Sequence, residues 1–215
     1  MKYVLFDLDG TLTDPKVGIT KCVQYALRHF GIDEPCLDKL EKFIGPPLDE
    51  SFSEFYGFDA EKAWQAIEKY RERFADVGKF ENKVFDGIPE MLASLKENGC
   101  RLAVATSKPE FFAAEILEKF GLAEYFDCVK GAALDGSKSV KKDIIKLVID
   151  EMGISDLSTA VMVGDRLHDI VGAHEIGMKC VGVRFGYAEE GELERYGADY
   201  IADTVEDLGK LLLRL

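Results

Sequence analysis

The sequence predicts an α/β fold, a doubly wound and mostly parallel sheet, with an all-helical insertion after the first strand. Three observations carry that expectation. Unbroken apolar runs at residues 3–6, 102–105 and 160–163 suit strands buried on both faces of a parallel sheet. From residue 84 onward, strand patterns alternate with helical ones, as βαβ connections require. Between residues 15 and 81 the apolar side chains recur only at helical spacing. The core is therefore expected to be discontinuous, 1–14 and 82–215, with 15–81 a separate helical unit hinged at the turns after 13 and 81.

The first strand, 3–6, ends in Asp7-Leu8-Asp9-Gly10-Thr11, where Gly10 allows a sharp turn and Thr11 is read as bonding local main chain. Asp14-Pro15 signals a helix start. Val17, Ile19, Val23, Ala26, Leu27 and Phe30 follow at helical spacing, and Gly31 closes the helix. His29, near that end, suits the macrodipole and is read as structural. Residues 37–43 lead to the Gly45-Pro46-Pro47 break, then helices over 48–56 and 60–77. The stripe Trp64, Ile67, Tyr70, Phe74 on the longer helix reads as core.

The second half opens with a helix over 87–98, a strand over 101–105 and Thr106-Ser107-Lys108-Pro109 at its end. A helix through Phe120 follows, then a strand over 126–132, a helix over 140–152 and a strand over 160–163 ending in Gly164-Asp165. A helix over 169–175, a strand over 179–183, a short strand near Tyr200-Ile201 and a helix over 205–213 complete the chain.

With 215 residues, 47% of them hydrophobic, there is material for one full core plus a sizeable insertion. Asp7 and Asp9 interrupt the opening apolar run too early for a signal peptide, and no stretch is long enough to span a bilayer. The cysteines, Cys22, Cys36, Cys100, Cys128 and Cys180, lack CxxC spacing and read as buried free thiols, consistent with a reducing cytoplasm. A net charge of −13 repels polynucleotides and anionic membranes. It leaves room for a small anionic substrate wherever a few cations reverse the local sign.

In an open parallel sheet, ligands bind beyond the carboxyl ends of the strands near the switch in strand order. Three polar groups are expected there: Asp7 with Asp9, Thr106, and Gly164-Asp165. Asp169 lies one helical turn beyond Asp165, within reach of the same cation. Paired carboxylates at a strand end are costly to bury without a cation or a proton. Hard oxygen donors without a Cys/His cluster suggest Mg2+. His168 is read as solvent-facing and His174 as a helix-surface group, and neither is spaced as a nucleophile's base or a zinc ligand.

Asp7-Leu8-Asp9-Gly10-Thr11, Thr106 after a strand, a lysine near 141 and Gly164-Asp165-Arg166-Leu167-His168-Asp169 resemble, in order, the motifs of the haloacid dehalogenase (HAD) superfamily. With the HAD resemblance come a Rossmann-like core and a helical cap. GDRLHDIVGAHEIG, DPKVGI and IGPPL are most similar to its phosphoglycolate phosphatase and 5′-nucleotidase-like branch. That resemblance implies a phosphatase on small phosphate esters, phosphoglycolate phosphatase-like with a 5′-nucleotidase on nucleoside monophosphates as the alternative, with Asp7 as nucleophile and Asp9 as the group that protonates the leaving alkoxide and then activates water. It implies that Thr106 and Lys141 hold phosphate oxygens, Lys141 being preferred to Lys142 from the pattern SVKKD. Asp7, the backbone carbonyl of Asp9, Asp165 and Asp169 (directly or through water) are expected to hold Mg2+. Asp9 favours phosphohydrolase or phosphomutase chemistry over the ATPase branch, which carries threonine there, and over metal-free dehalogenases. Arg71 and Gly45-Pro46-Pro47 are candidates for reaching the leaving group, and Lys108 either borders the pocket or lies on the surface.

Overall fold

The structure, a computed structural model, describes residues 2–134 and 140–215. Ser139 of the SVKKD pattern lies outside the described residues. In chain order the elements are β1 (Tyr3–Phe6), β2 (Thr13–Asp14), α1 (Lys16–His29), α2 (Leu48–Tyr56), α3 (Ala60–Asp76) and β3 (Lys83–Val84). Then come α4 (Ile88–Glu97), β4 (Arg101–Pro109), α5 (Glu110–Lys119), β5 (Cys128–Ala132), α6 (Lys141–Met152) and β6 (Ala160–Gly164). The last are α7 (Leu167–His174), β7 (Lys179–Val183), α8 (Glu192–Arg195), β8 (Tyr200–Ala202) and α9 (Val205–Arg214). The chain divides into two compact units, one made of the residues up to Asp14 and from Val84 onward, the other of Pro15–Lys83.

The first unit is built on a six-stranded sheet in the order β5-β4-β1-β6-β7-β8. Its neighbouring strands pair in parallel throughout. Strand β1 is central: Phe6 sits level with Val104 on one side and Val163 on the other. Alternation along the strands explains why these segments are apolar without a break. Leu5, Ala103 and Met162 join one core cluster with Ile144, Ile145 and Val148 of α6 and Ile170 of α7. Val4, Phe6, Val104, Val161 and Val163 take the opposite face and are also buried. Each such side chain, taken fully out of water, stabilises the fold by about 1.5–3 kcal/mol. The strand order turns at β1, which places the carboxyl ends of β1, β4 and β6 together.

The second unit is helical. α1 and α2 both pack on α3, and Phe52 of α2 meets the rings of Phe43 and Phe58, which lie on either side of that helix in the chain. Asp59 caps α3 by accepting from the Lys62 amide at 2.9 Å. Glu81 ties the ends of the unit together, bonding Arg73 at 2.6 Å and Lys21 at 2.9 Å.

Several expectations need correction. Trp64 is 40% exposed, so the buried stripe of α3 is Ala63, Ala66, Ile67, Tyr70 and Phe74. Cys36 is exposed, while the other four thiols are buried. β4 runs on to Pro109, and α7 starts at Leu167, two residues before Asp169. Among the described residues, no helix is long and apolar enough to cross a membrane.

Candidate active site

The Asp7 amide donates to the Val163 carbonyl at 2.9 Å and so continues the β1–β6 pairing past the strand end. Residues 8–13 then curl over the Leu8 carbonyl, which accepts from the Leu12 and Thr13 amides at 2.9 and 3.0 Å. Gly10 has φ +80°, and a Cβ there would overlap the Asp165 carboxylate. A glycine is therefore required twice over at this point, by conformation and by space. The Thr11 hydroxyl donates to Asp165 Oδ1 at 3.4 Å rather than only to nearby backbone. Gly164 plays a similar part under Asp169, whose carboxylate occupies the space of the missing Cβ.

These contacts gather the acidic residues. Asp7, Asp165 and Asp169 each present a carboxylate oxygen within 4.8 Å of the others, and all three are buried. Lys141, the first residue of α6, is also buried. Its ammonium lies 2.9 Å from Asp7 Oδ1, 2.8 Å from Asp169 Oδ1 and 3.0 Å from the Ala105 carbonyl. Lys142 instead pairs with Glu175 at 3.2 Å on a more exposed face. Asp9 stands beside the cluster and pairs through Oδ2 with Lys108 at 2.6 Å. The side chain of Lys108 is only 6% exposed, so this lysine lies buried against Asp9 rather than on the surface.

The charges do not balance. Among the described residues, four buried carboxylates face two ammoniums, since Arg166 is engaged by Glu192 at 3.0 Å. Asp7 Oδ1, Asp9 Oδ1 and Asp169 Oδ1 are buried without a hydrogen bond. For Asp7 and Asp169 this coexists with the close approach of Lys141, because proximity gives an ion pair but the angles do not give a directed bond. Burial, followed by the Asp169 and Asp7 charges, pushes the Asp165 carboxyl well above the usual range. Burial likewise lifts Asp169 to about 6, against the pull of Lys141, and raises Asp9 despite Lys108. Burial disfavours the Lys141 charge, but Asp169 and Asp7 together outweigh it and raise its pKa. Two uncompensated negative charges, three orphaned oxygens and an all-oxygen donor set fit a hard divalent cation.

Thr106 is buried near the carboxyl end of β4, and its hydroxyl accepts from the Lys108 amide at 3.3 Å. Arg71 belongs to the helical unit, where its guanidinium lies 5.4 Å over the Trp64 ring. His168 is half-buried rather than solvent-facing, and burial lowers its pKa. His174 bonds Asp199 at 2.9 Å near the surface.

Sequence reasoning missed the segment after β7. The Tyr187 amide donates to Asp165 Oδ2 at 2.7 Å, and the Tyr187 hydroxyl bonds Asp14. A Cβ on Gly186 would collide with the Gly10 carbonyl and Asp165. The available signal was positional, since Gly186 follows a parallel strand at the same sheet edge as the aspartates.

Residues 4–183 match the haloacid dehalogenase-like hydrolase family. The chain is 49% identical over 201 residues to a 5′-nucleotidase of Pseudomonas aeruginosa, covering 93% of this chain and 90% of that one. It is 38% identical over 211 residues to tyrosine-protein kinase PtkA of Mycobacterium tuberculosis, 97% of this chain and 72% of the relative. It is 30% identical over 221 residues to a phosphoglycolate phosphatase of Caulobacter vibrioides, 99% and 91% respectively. Among solved structures, a predicted phosphatase from Clostridium acetobutylicum superposes with a TM-score of 0.97 at 48% identity, covering 100% of this chain and 99% of the other.

Proposed function

The chain belongs to the haloacid dehalogenase-like hydrolase family and is a phosphatase of it, and on that premise we propose that it hydrolyses small phosphate monoesters through an aspartyl-phosphate on Asp7. The observation that carries this reading is the charge shortfall around Asp7, a buried carboxylate with an orphaned oxygen beside a cationic lysine.

Asp7, Asp165, Asp169 and the backbone carbonyl of Asp9 would hold Mg2+. When bound, the ion supplies the positive charge that lets an anionic carboxylate meet an anionic phosphate. In the first step an Asp7 oxygen bonds to phosphorus as the ester P–O bond breaks, and Asp9 gives its proton to the departing alkoxide. In the second, Asp9 takes a proton from water, whose oxygen attacks phosphorus and releases Asp7 and inorganic phosphate. The raised pKa of Asp9, a consequence of burial, suits a group that must first hold a proton and then regain one. Lys141 and Thr106 would steady the nonbridging phosphate oxygens, the lysine as a point charge already set beside Asp7.

The leaving group is proposed as a nucleoside. The 49% identical relative is a 5′-nucleotidase, whereas the phosphoglycolate phosphatase is more distant at 30%. The family resemblance places phosphoglycolate phosphatase first and 5′-nucleotidase as the alternative, although DPKVGI leans to the latter, and the relatives favour the opposite order. Arg71 remains a candidate for recognising the leaving group.

Asp7→Asn tests the covalent step. Turnover of nucleoside monophosphates and of an aryl phosphate should fall at least about a thousandfold with the far-UV circular dichroism unchanged. Residual activity above a few percent would sink the aspartyl-phosphate route. Ranking a panel of monoesters by kcat/KM then tests the substrate, and a preference for phosphoglycolate over nucleoside monophosphates would restore the first ordering.

A further inference from the structure

We propose that Glu192 is a positioning residue of the metal centre, holding the turn that bears Asp165 and Asp169 in its ligating shape and thereby setting the affinity for a divalent cation. The inference rests on the reading that these aspartates bind Mg2+.

The starting point is a helix whose N-cap side chain offers no acceptor. Arg166 occupies the N-cap position of α7, and a guanidinium has only donors to offer. The amides at this end find carboxylates instead. Arg166 N donates to Asp169 Oδ2 at 3.1 Å, and Leu167 N donates to Glu192 Oε1 at 2.7 Å. Glu192 therefore caps α7 from the start of α8, 25 residues away in sequence.

The same carboxylate does two further things. Its Oε1 accepts from Arg166 Nε at 3.0 Å, which balances a guanidinium only 8% exposed directly beside Asp165 in the chain. Its Oε2 accepts from the Glu189 amide at 3.1 Å and closes the loop that leads back to Tyr187. That loop reaches the aspartates directly, because Tyr187 N bonds Asp165 Oδ2 and Gly186 packs against Asp165. Glu192 is 2% exposed, and bonds from Arg166 and the Glu189 and Leu167 amides outweigh burial to hold its carboxyl below the usual range. One buried anion thus fastens both segments that shape the acidic cluster.

Removing its charge has two consequences for a cation. The α7 amide and the Glu189 loop lose their fixed partner, so Asp169 and Asp165 must be ordered at the moment of binding. The Arg166 guanidinium loses its counter-charge next to the site, where it opposes a second positive charge. Partners of this kind, one step removed from the ligands, typically set metal affinity by ten- to a hundredfold.

The test uses the full chain, stripped of metal, titrated with MgCl2 and with MnCl2 by isothermal calorimetry, alongside thermal melts in EDTA and in saturating Mg2+. Wild type is compared with Glu192→Gln, which keeps the shape and an acceptor oxygen, and with Glu192→Ala, which keeps neither. The Gln variant carries the test should the Ala variant fail to fold. The expected result is at least a tenfold rise in Kd for Mg2+ in Glu192→Gln, with a larger loss of melting temperature in Mg2+ than in EDTA. A Kd within twofold of wild type, with melts lowered equally in both conditions, overturns the proposal and leaves Glu192 an ordinary structural cap. Failure of wild type to take up either cation refutes the metal reading itself, and the role of Glu192 falls with it.

Discussion

Replacing Lys141 by Met should cost the metal-free protein far more stability than a surface charge would, and lowering the pH should return part of the loss. The ammonium sits 2.9 and 2.8 Å from the Asp7 and Asp169 oxygens, with its side chain 4% exposed. At an effective dielectric constant of about 20, each full charge pair at that range is worth roughly 6 kcal/mol before desolvation is subtracted. Measured losses on breaking one side of a buried pair are smaller, about 3–5 kcal/mol, and that is the expectation at pH 8 in EDTA. Asp169 already titrates near 6 because of burial. Without the lysine its pKa climbs further, and by pH 5 it is neutral, which limits the penalty. Urea unfolding followed by far-UV circular dichroism reads the effect. With a slope of about 3 kcal/mol per molar, the midpoint moves by roughly 1–1.7 M at pH 8, and by less at pH 5. A loss under about 1 kcal/mol at pH 8, or one that does not shrink on acidification, would refute the charge accounting around Asp7.

Two other outcomes follow from the same cluster. Asp169, Asp165 and Asp9 all have folded-state pKa values above 3.8, the first at about 6, so the folded protein binds more protons than the unfolded chain across that interval. Stability in EDTA should therefore fall as pH rises from about 4 through 6, and saturating Mg2+ should flatten the profile; a flat profile in EDTA contradicts the raised values. Lys108→Met leaves Asp9 buried beside no matching charge, and kcat on alkyl monoesters should drop about 10–100-fold, more than on an aryl phosphate with a better leaving group. Equal losses on both esters would reduce Lys108 to a packing role.

Much of this site is legible in the sequence because its main parts are strand ends. Tyr3–Phe6 and Ala160–Gly164 announce themselves as buried parallel strands, and the sheet-edge rule then brings Asp7 and Asp165 together with Thr106 nearby. What stayed hidden depends on contacts distant in sequence. The expected start of α7 fell two residues late because the Leu167 amide is held by Glu192, and no local pattern announces an acceptor from another helix. β4 outruns its apolar run because Gly131 on β5 lets the Lys108 carbonyl approach where a side chain would stand, carrying the strand past Thr106 to Pro109. Trp64 fitted the helical stripe in spacing, yet the small Ala63 and Ala66 fill the buried face while Trp64 lies outside under Arg71.

The central place of β1 also governs the order in which the protein can assemble. Tyr3 pairs with Arg101 on one side and Ala160 on the other, so the strand carrying Asp7 leaves the ribosome long before either neighbour exists. The helical unit, continuous from Pro15 to Lys83, draws its contacts from one stretch of chain and is free to form meanwhile. The apolar strand must wait unpaired until about half the chain is made, which exposes it to mispairing with another nascent chain. That wait also has a protective side. A chain cut short before β6 lacks the second neighbour of β1 together with Asp165 and Asp169, so truncated products carry Asp7 without the carboxylates that complete the cluster.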